Sequence, residues 1–198
     1  MNKLSGQAYL DHWKTRMAKG PLEAGTEKNA DDTWNFVSGF LPEDEPRSIL
    51  EFGCGYGRML RRLRDRWPKA RLYGVDLSAE ALDHLKANWE RRPPILFNQD
   101  SPPTHIRVDM IFTCTVLQHV TDDAVLGRIG EGFRAILRPG GLMVLFENVS
   151  HGPGQGGAHM REFAAADYMA LCPELKWREC GIFVHRLEAH SLMVGRKD

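Results

Sequence analysis

Few features of this sequence are in excess, and several are scarce. Four cysteines, Cys54, Cys114, Cys172 and Cys180, form no CxxC pair and no metal-like grouping with histidine. Neither a disulfide scaffold nor a metal site is expected, and a reduced, cytoplasmic chain is the natural inference. No apolar run approaches the ~18 residues of a membrane span, and Met1 to Gln7 lacks the apolar core of a secretory signal. Neither sign of charge dominates, since 26 Lys and Arg balance 26 Asp and Glu. A basic field over the whole protein, the usual footprint of nucleic-acid binding, is thereby excluded. The densest basic run, Arg58, Arg61, Arg62, Arg64 and Arg66, falls on a predicted helix and reads as a solvated outer face. There is no internal repeat and no low-complexity tract longer than a loop.

At 198 residues the chain has room for one domain with a sizeable core. Residues 1–46 read as an N-terminal helical extension, or cap. Tyr9, Leu10, Trp13 and Met17 recur at helical spacing in one segment, and Trp34, Val37 and Phe40 in the next. Residues 47–198 read as a core in which short apolar strands alternate with helices. The strands are Ser48 to Phe52, Arg71 to Val75, Ile95 to Phe97, Val108 to Cys114 and Leu142 to Phe146. Helices are expected over Met59 to Trp67, Ala79 to Trp89 behind the cap Ser78, Asp122 to Leu137, and Phe163 to Leu171. Pro139-Gly140-Gly141 stops the third of these, and two strands near Ile182 to Arg186 and Ala189 to Val194 close the chain as a hairpin. The alternation predicts an α/β fold, a doubly wound, Rossmann-like and mostly parallel sheet with helices on both faces.

In such a sheet, ligands bind beyond the carboxyl ends of the strands, where the strand order reverses. The first strand exits into Gly53-Cys54-Gly55-Tyr56-Gly57, whose alternate glycines let the backbone approach a ligand with no Cβ in the way. Asp76 ends the second strand at roughly the ~20-residue distance at which an acid can accept hydrogen bonds from ribose hydroxyls. A dinucleotide site wants GxGxxG; here the spacing is GxGxG and Arg58 stands where the last glycine would be, which argues against a nicotinamide oxidoreductase.

Ile49-Leu50-Glu51-Phe52-Gly53-Cys54-Gly55-Tyr56-Gly57-Arg58 resembles the first motif of class I S-adenosylmethionine-dependent methyltransferases. Tyr73-Gly74-Val75-Asp76-Leu77-Ser78 resembles the second, and Leu137-Arg138-Pro139-Gly140-Gly141 the turn before that family's fifth strand. The resemblance covers Arg47 to Glu147. It implies a seven-stranded sheet whose last strand is antiparallel, S-adenosylmethionine as methyl donor and S-adenosylhomocysteine as product. By position it implies that Gly53, Cys54 and Gly55 line the methionine and ribose portion. Arg58 follows at the helix start, and Glu51 lies beneath the loop, ordering it or the amino group. Asp76 would hold the ribose diol and Leu77 flank the adenine. Asp100, with Ser101, sits where an acid often meets the adenine amine, and Thr113-Cys114-Thr115 where carbonyls meet the methionine amine. The stretch Asn98 to Pro103 departs from the family, being shorter and richer in proline.

Methyl transfer from a sulfonium needs alignment and exclusion of water, and for many acceptors a base. His119, directly after the fourth strand, is the candidate base; the plainer reading is a histidine that orients the loop over the cofactor. Glu147, Asn148, His151, His159 and Arg161 flank a glycine-rich loop after the fifth strand and form a candidate acceptor site. Tyr9, Trp13 and Trp34 read first as core, with cover for the cofactor as the alternative. The function expected is transfer to a small-molecule or saccharide-type acceptor. A methyltransferase-fold nucleoside-binding subunit without catalysis, or a protein or nucleic-acid methyltransferase, is the alternative. Against the last, Thr113-Cys114-Thr115-Val116 lacks the (Asp/Asn)-Pro-Pro-aromatic motif common in enzymes that methylate bases.

Overall fold

The computed structural model describes residues 6–20, 27–149, 160–161, 163–185 and 188–198. Two helices come first, α1 (Gly6–Met17) and α2 (Glu27–Ser38). Strands and helices then alternate: β1 (Ser48–Phe52), α3 (Arg58–Arg66), β2 (Arg71–Asp76), α4 (Ala79–Ala87), β3 (Ile95–Asn98) and β4 (Val108–Cys114). A 3-10 turn, Leu117–His119, precedes α5 (Asp123–Ile136), β5 (Leu137–Asn148), α6 (Ala165–Met169), β6 (Lys176–His185) and β7 (Glu188–Arg196). The seven strands form one sheet in the order β3-β2-β1-β4-β5-β7-β6. The first five are parallel, and β7 runs antiparallel to both β5 and β6. This is the sheet expected from the sequence.

Side chains alternate across the pleat, so neighbouring residues feed opposite faces. Ile49, Met110 and Val144 enter one core with Val37 of α2, Leu60 and Leu63 of α3 and Leu85 of α4. Leu50, Ile111 and Leu145 enter the other with Ile129 and Phe133 of α5 and Tyr168 of α6. Strands buried on both faces read as continuous apolar runs, which is why β1 and β4 were legible. Helix α4 starts where the serine cap predicts, Ser78 Oγ accepting from Ala81 N at 3.1 Å. Helix α5 is capped by Asp122, which accepts from Ala124 N and Val125 N.

Several boundaries move. The Pro139-Gly140-Gly141 turn lies within β5 because the chain's tail pairs with it: Gly140 N donates to Lys197 O at 2.9 Å and Lys197 N to Gly141 O at 3.0 Å. Helix α6 is shorter than predicted, and β6 begins earlier, where Lys176 to Glu179 pair with β7. A register shift between Glu179 and Gly181 then lets a glycine face Phe36. The arginine run of α3 is not a plain solvated face. Arg64 is buried and donates from Nη1 to Pro68 O and Ala70 O, both at 2.8 Å. Arg61 reaches Tyr56 O at 2.9 Å, and Arg62 reaches Asp31 on α2 at 2.5 Å. Periodicity counts a guanidinium as polar and cannot show that carbonyls wait for it at the helix end.

Candidate active site

The order reverses at β1, between β2 and β4, and there the strand ends open a cavity of about 180 Å³. Its floor is the loop after β1. Gly53 (φ 74°) and Gly57 (φ 77°) have left-handed backbones, and Gly57 turns the chain into α3. Gly53 N and Cys54 N both donate to Val75 O, at 2.7 and 3.0 Å, drawing the loop against the end of β2. Asp76 completes the tie: Oδ2 accepts from Gly55 N at 2.7 Å and Oδ1 from Ser78 N at 2.9 Å. A carboxylate has about four lone-pair sites, so these backbone donors do not exhaust it. Burial raises the Asp76 carboxyl above its usual range, and the backbone donors of Ser78, Gly55 and Leu77 oppose that rise.

Beneath the loop, Glu51 is 3% exposed and its Oε2 has no hydrogen-bond partner. Burial pushes this carboxyl well above the usual range, with Arg58 pulling it down and Asp76 pushing it further up. A buried carboxyl oxygen without a donor is costly unless a ligand supplies one.

Glu51, Gly53, Cys54, Gly55, Arg58, Asp76, Leu77, Asp100, Cys114, Thr115 and His119 all line the cavity, so the structure brings these sequence-predicted residues together. Two others are placed elsewhere. Ser101 does not line it, and Thr113 is fully buried, its Oγ1 donating to Glu147 Oε1 at 2.7 Å. Asp100 lines the cavity but is held by Arg128 of α5 at 2.7 Å. Beside it Gln99, which the sequence reading passed over, has a buried Nε2 without a partner. Val116, Met59 and Ile129 were also missed. Ile129 lies on the apolar stripe of α5, where nothing in the spacing separates a wall residue from a core residue.

The opposite wall is the turn after β4. His119 and Trp13 meet here, ring centroids 4.4 Å apart, so Trp13 covers the cavity while Trp34 packs in the core around α2 and α3. The side chain of Tyr9 lies outside the described residues. The polar groups read as an acceptor site divide. Glu147 and Asn148 are buried in β5, at 0% and 6% exposure, and belong to the framework. Arg161 N donates to Gln118 O at 2.8 Å and its guanidinium pairs with Asp123. His151 and His159 lie outside the described residues. Burial also raises the Cys54 and Cys114 thiols in the cavity wall, so neither is an activated nucleophile.

A glycine loop, an acid after β2 and a switch-point cavity define a nucleoside-binding α/β protein. The family described as "Methyltransferase domain" matches residues 49–141. Trans-aconitate 2-methyltransferase of Azoarcus sp. (strain BH72) is 31% identical over 69% of this chain and 56% of its own length. Malonyl-[acyl-carrier protein] O-methyltransferase of Xylella fastidiosa (strain M23) is 32% identical over 53% of this chain and 36% of its own. The chain thus spans about a third to a half of the length of these curated relatives. Magnesium protoporphyrin IX methyltransferase from Synechocystis PCC 6803, solved with bound S-adenosylmethionine, shares the fold at 12% identity. Its TM-score is 0.64, over 95% of this chain and 91% of that one. Burkholderia thailandensis 1,6-didemethyltoxoflavin-N1-methyltransferase, solved with S-adenosylhomocysteine, does so at 20% identity and TM-score 0.64, over 99% and 93%. Residues 49–141 thus match a methyltransferase family, and the fold is the one shared by methyltransferases solved with S-adenosylmethionine or S-adenosylhomocysteine bound.

The residues present fit that cofactor. The unpartnered Glu51 Oε2 suits an ammonium, and the remaining acceptor capacity of Asp76 suits ribose hydroxyls.

Proposed function

We propose that this chain transfers a methyl group to a small-molecule acceptor, and that the acceptor atom is a carboxylate oxygen. The observation that carries the first part is the buried Glu51 carboxyl, with an unpartnered Oε2, in the wall of the cavity that Asp76 also lines. The donor supplies a methyl carbon already activated by a sulfonium. Glu51, Asp76 and the glycine loop fix its orientation, while Trp13, Val116 and His119 exclude water from the side where an acceptor arrives.

The carboxylate reading draws on the relatives, since a malonyl group and trans-aconitate both present carboxylates. It also fits the chemistry of the cavity. A carboxylate is deprotonated at neutral pH and needs no base, and Arg58 puts a positive charge in the wall. With the donor held by Glu51, Asp76 and the glycine loop, a carboxylate oxygen would take the methyl group in line, the carbon–sulfur electron pair staying with sulfur. A saccharide hydroxyl would have to lose a proton, and His119, pressed on Trp13, is the histidine that lines the cavity among the described residues. Four free thiols, two in the cavity wall, suit a reducing, cytoplasmic setting.

Formation of S-adenosylhomocysteine should be followed with malonyl thioesters, aconitate and simple saccharides as acceptors. Turnover is expected with a carboxylate, and in His119→Ala it should fall by less than about tenfold, against the ~10²–10⁴-fold attributable to a general base. Turnover confined to hydroxyl acceptors and lost in His119→Ala would replace this reading with the saccharide one.

A further inference from the structure

The turn that walls the cavity opposite the glycine loop is held from behind, by a carboxyl that does not itself line the cavity. Strand β4 pairs with β5 as far as Cys114 and Phe146. The chain then leaves the sheet through Thr115, a β-branched residue with a left-handed backbone, φ 57°. A residue of this type holds that conformation only when its surroundings fix it. The next residue of β5, Glu147, supplies the fixing. Its Oε2 accepts from Val116 N at 2.9 Å and from Gln118 N at 3.4 Å, and its Oε1 accepts from Thr113 Oγ1 at 2.7 Å. Asn148 N adds a bond to Gln118 Oε1 at 2.8 Å, and Tyr168 of α6 donates to Asn148 O at 2.8 Å.

This strap sets the width of the cavity. Val116 touches the glycine loop so closely that a Cβ on Gly53 would lie 2.3 Å from Val116 Cγ2. Three residues further on, the same turn presses His119 against Trp13. A small shift of the turn would therefore move the wall on the side of the methionine and close or open the path of the acceptor. Burial pushes the Glu147 carboxyl up to about 7, against the pull of its donors. The ionisable groups facing it are Cys114 on β4 and Tyr168 on α6, both raised first by burial and further by Glu147; β7 presents Ser191 opposite. Oε2 accepts from the two amides whether or not Oε1 carries a proton, so the strap does not require the charge.

We propose that Glu147 is a positioning residue of the methyl-transfer site, holding the 115–119 turn at the distance from the glycine loop that the donor needs. This rests on the methyl transfer proposed above and is indifferent to the acceptor.

The test is calorimetric binding of S-adenosylhomocysteine to Glu147→Met and Glu147→Gln, well below their melting temperatures. Met keeps the volume and removes the acceptor; Gln keeps an acceptor oxygen for Val116 N and Gln118 N. With two buried amides left unpaired, Glu147→Met is expected to bind about tenfold more weakly or worse, and Glu147→Gln within about threefold of wild type. The change in Trp13 fluorescence on binding, identified against Trp13→Phe, should survive in Gln and vanish in Met. A merely structural role would lower the melting temperature of Glu147→Met and leave binding and fluorescence alone, overturning the proposal. So would a Gln variant as weak as Met. If the wild type itself fails to bind, the donor reading falls with it. Hydrogen exchange on the wild type decides even if Met does not fold: the Val116 and Gln118 amides should exchange more slowly with S-adenosylhomocysteine bound. Unchanged rates would count against the strap.

Discussion

Replacing Asp76 with alanine is expected to remove most of the melting-temperature rise that S-adenosylmethionine or S-adenosylhomocysteine gives, while NAD gives none to either protein. A ligand at a hundredfold excess over its Kd stabilises the native state by about 2.7 kcal/mol. Asp76 accepts a backbone amide on each oxygen and keeps acceptor capacity for ribose hydroxyls. Hydrogen bonds to a charged group contribute about 1.5–3 kcal/mol apiece, so losing two weakens binding by roughly a hundredfold or more. The alanine also frees Gly55 N and slackens the loop, an effect that Asp76→Asn, which keeps one oxygen, should partly restore. Circular dichroism should show the fold unchanged, because β2 is held by pairing with β1 and β3 on either side. A thermal shift in Asp76→Ala equal to wild type would sink the assignment of this acid to the donor.

Gly53→Ala is the second large effect. The residue has φ 74°, and an added Cβ would meet Val116 Cγ2 at 2.3 Å, well inside any real contact. The left-handed backbone costs a residue with a Cβ about 1–3 kcal/mol, and overpacking typically costs another 1–3. The control is Gly140→Ala, with φ 73° and nothing within 4 Å of the new methyl, where only the backbone cost applies. Chemical denaturation should therefore show Gly53→Ala the less stable of the two by about 1–3 kcal/mol. S-adenosylhomocysteine binding should fail in Gly53→Ala and persist in Gly140→Ala. Equal stability in the two variants would mean that Val116 yields freely and the wall is soft.

The parallel sheet and the cofactor half of the site could be read from the sequence because their signals are local. Gly53 to Gly57 and Asp76 sit at strand ends whose apolar runs are unmistakable, and their spacing follows from backbone geometry. What was hidden depends on packing between distant segments. Trp13 and Trp34 occupy similar helical patterns, yet only α1 lies over the cavity. Glu147 looks like a polar residue at a loop and is a fully buried framework group, because its partners Thr113, Val116 and Gln118 come from a segment some thirty residues earlier. Arg64 reads as solvated until Pro68 O and Ala70 O are seen to close around it.

The unpartnered oxygen of Glu51 has a consequence for the thermodynamics of loading. With burial holding its carboxyl well above the usual range, the ligand-free protein keeps that group protonated at pH values where an exposed glutamate has long been ionised. An ammonium arriving beside Oε2 favours the charged form, so the proton departs as the cofactor enters. Binding then tightens as pH rises towards the raised value and levels off above it. The released proton is taken up by whatever buffer is present, so the measured heat of loading would include that buffer's ionisation enthalpy, and the intrinsic heat would emerge only by comparing several buffers.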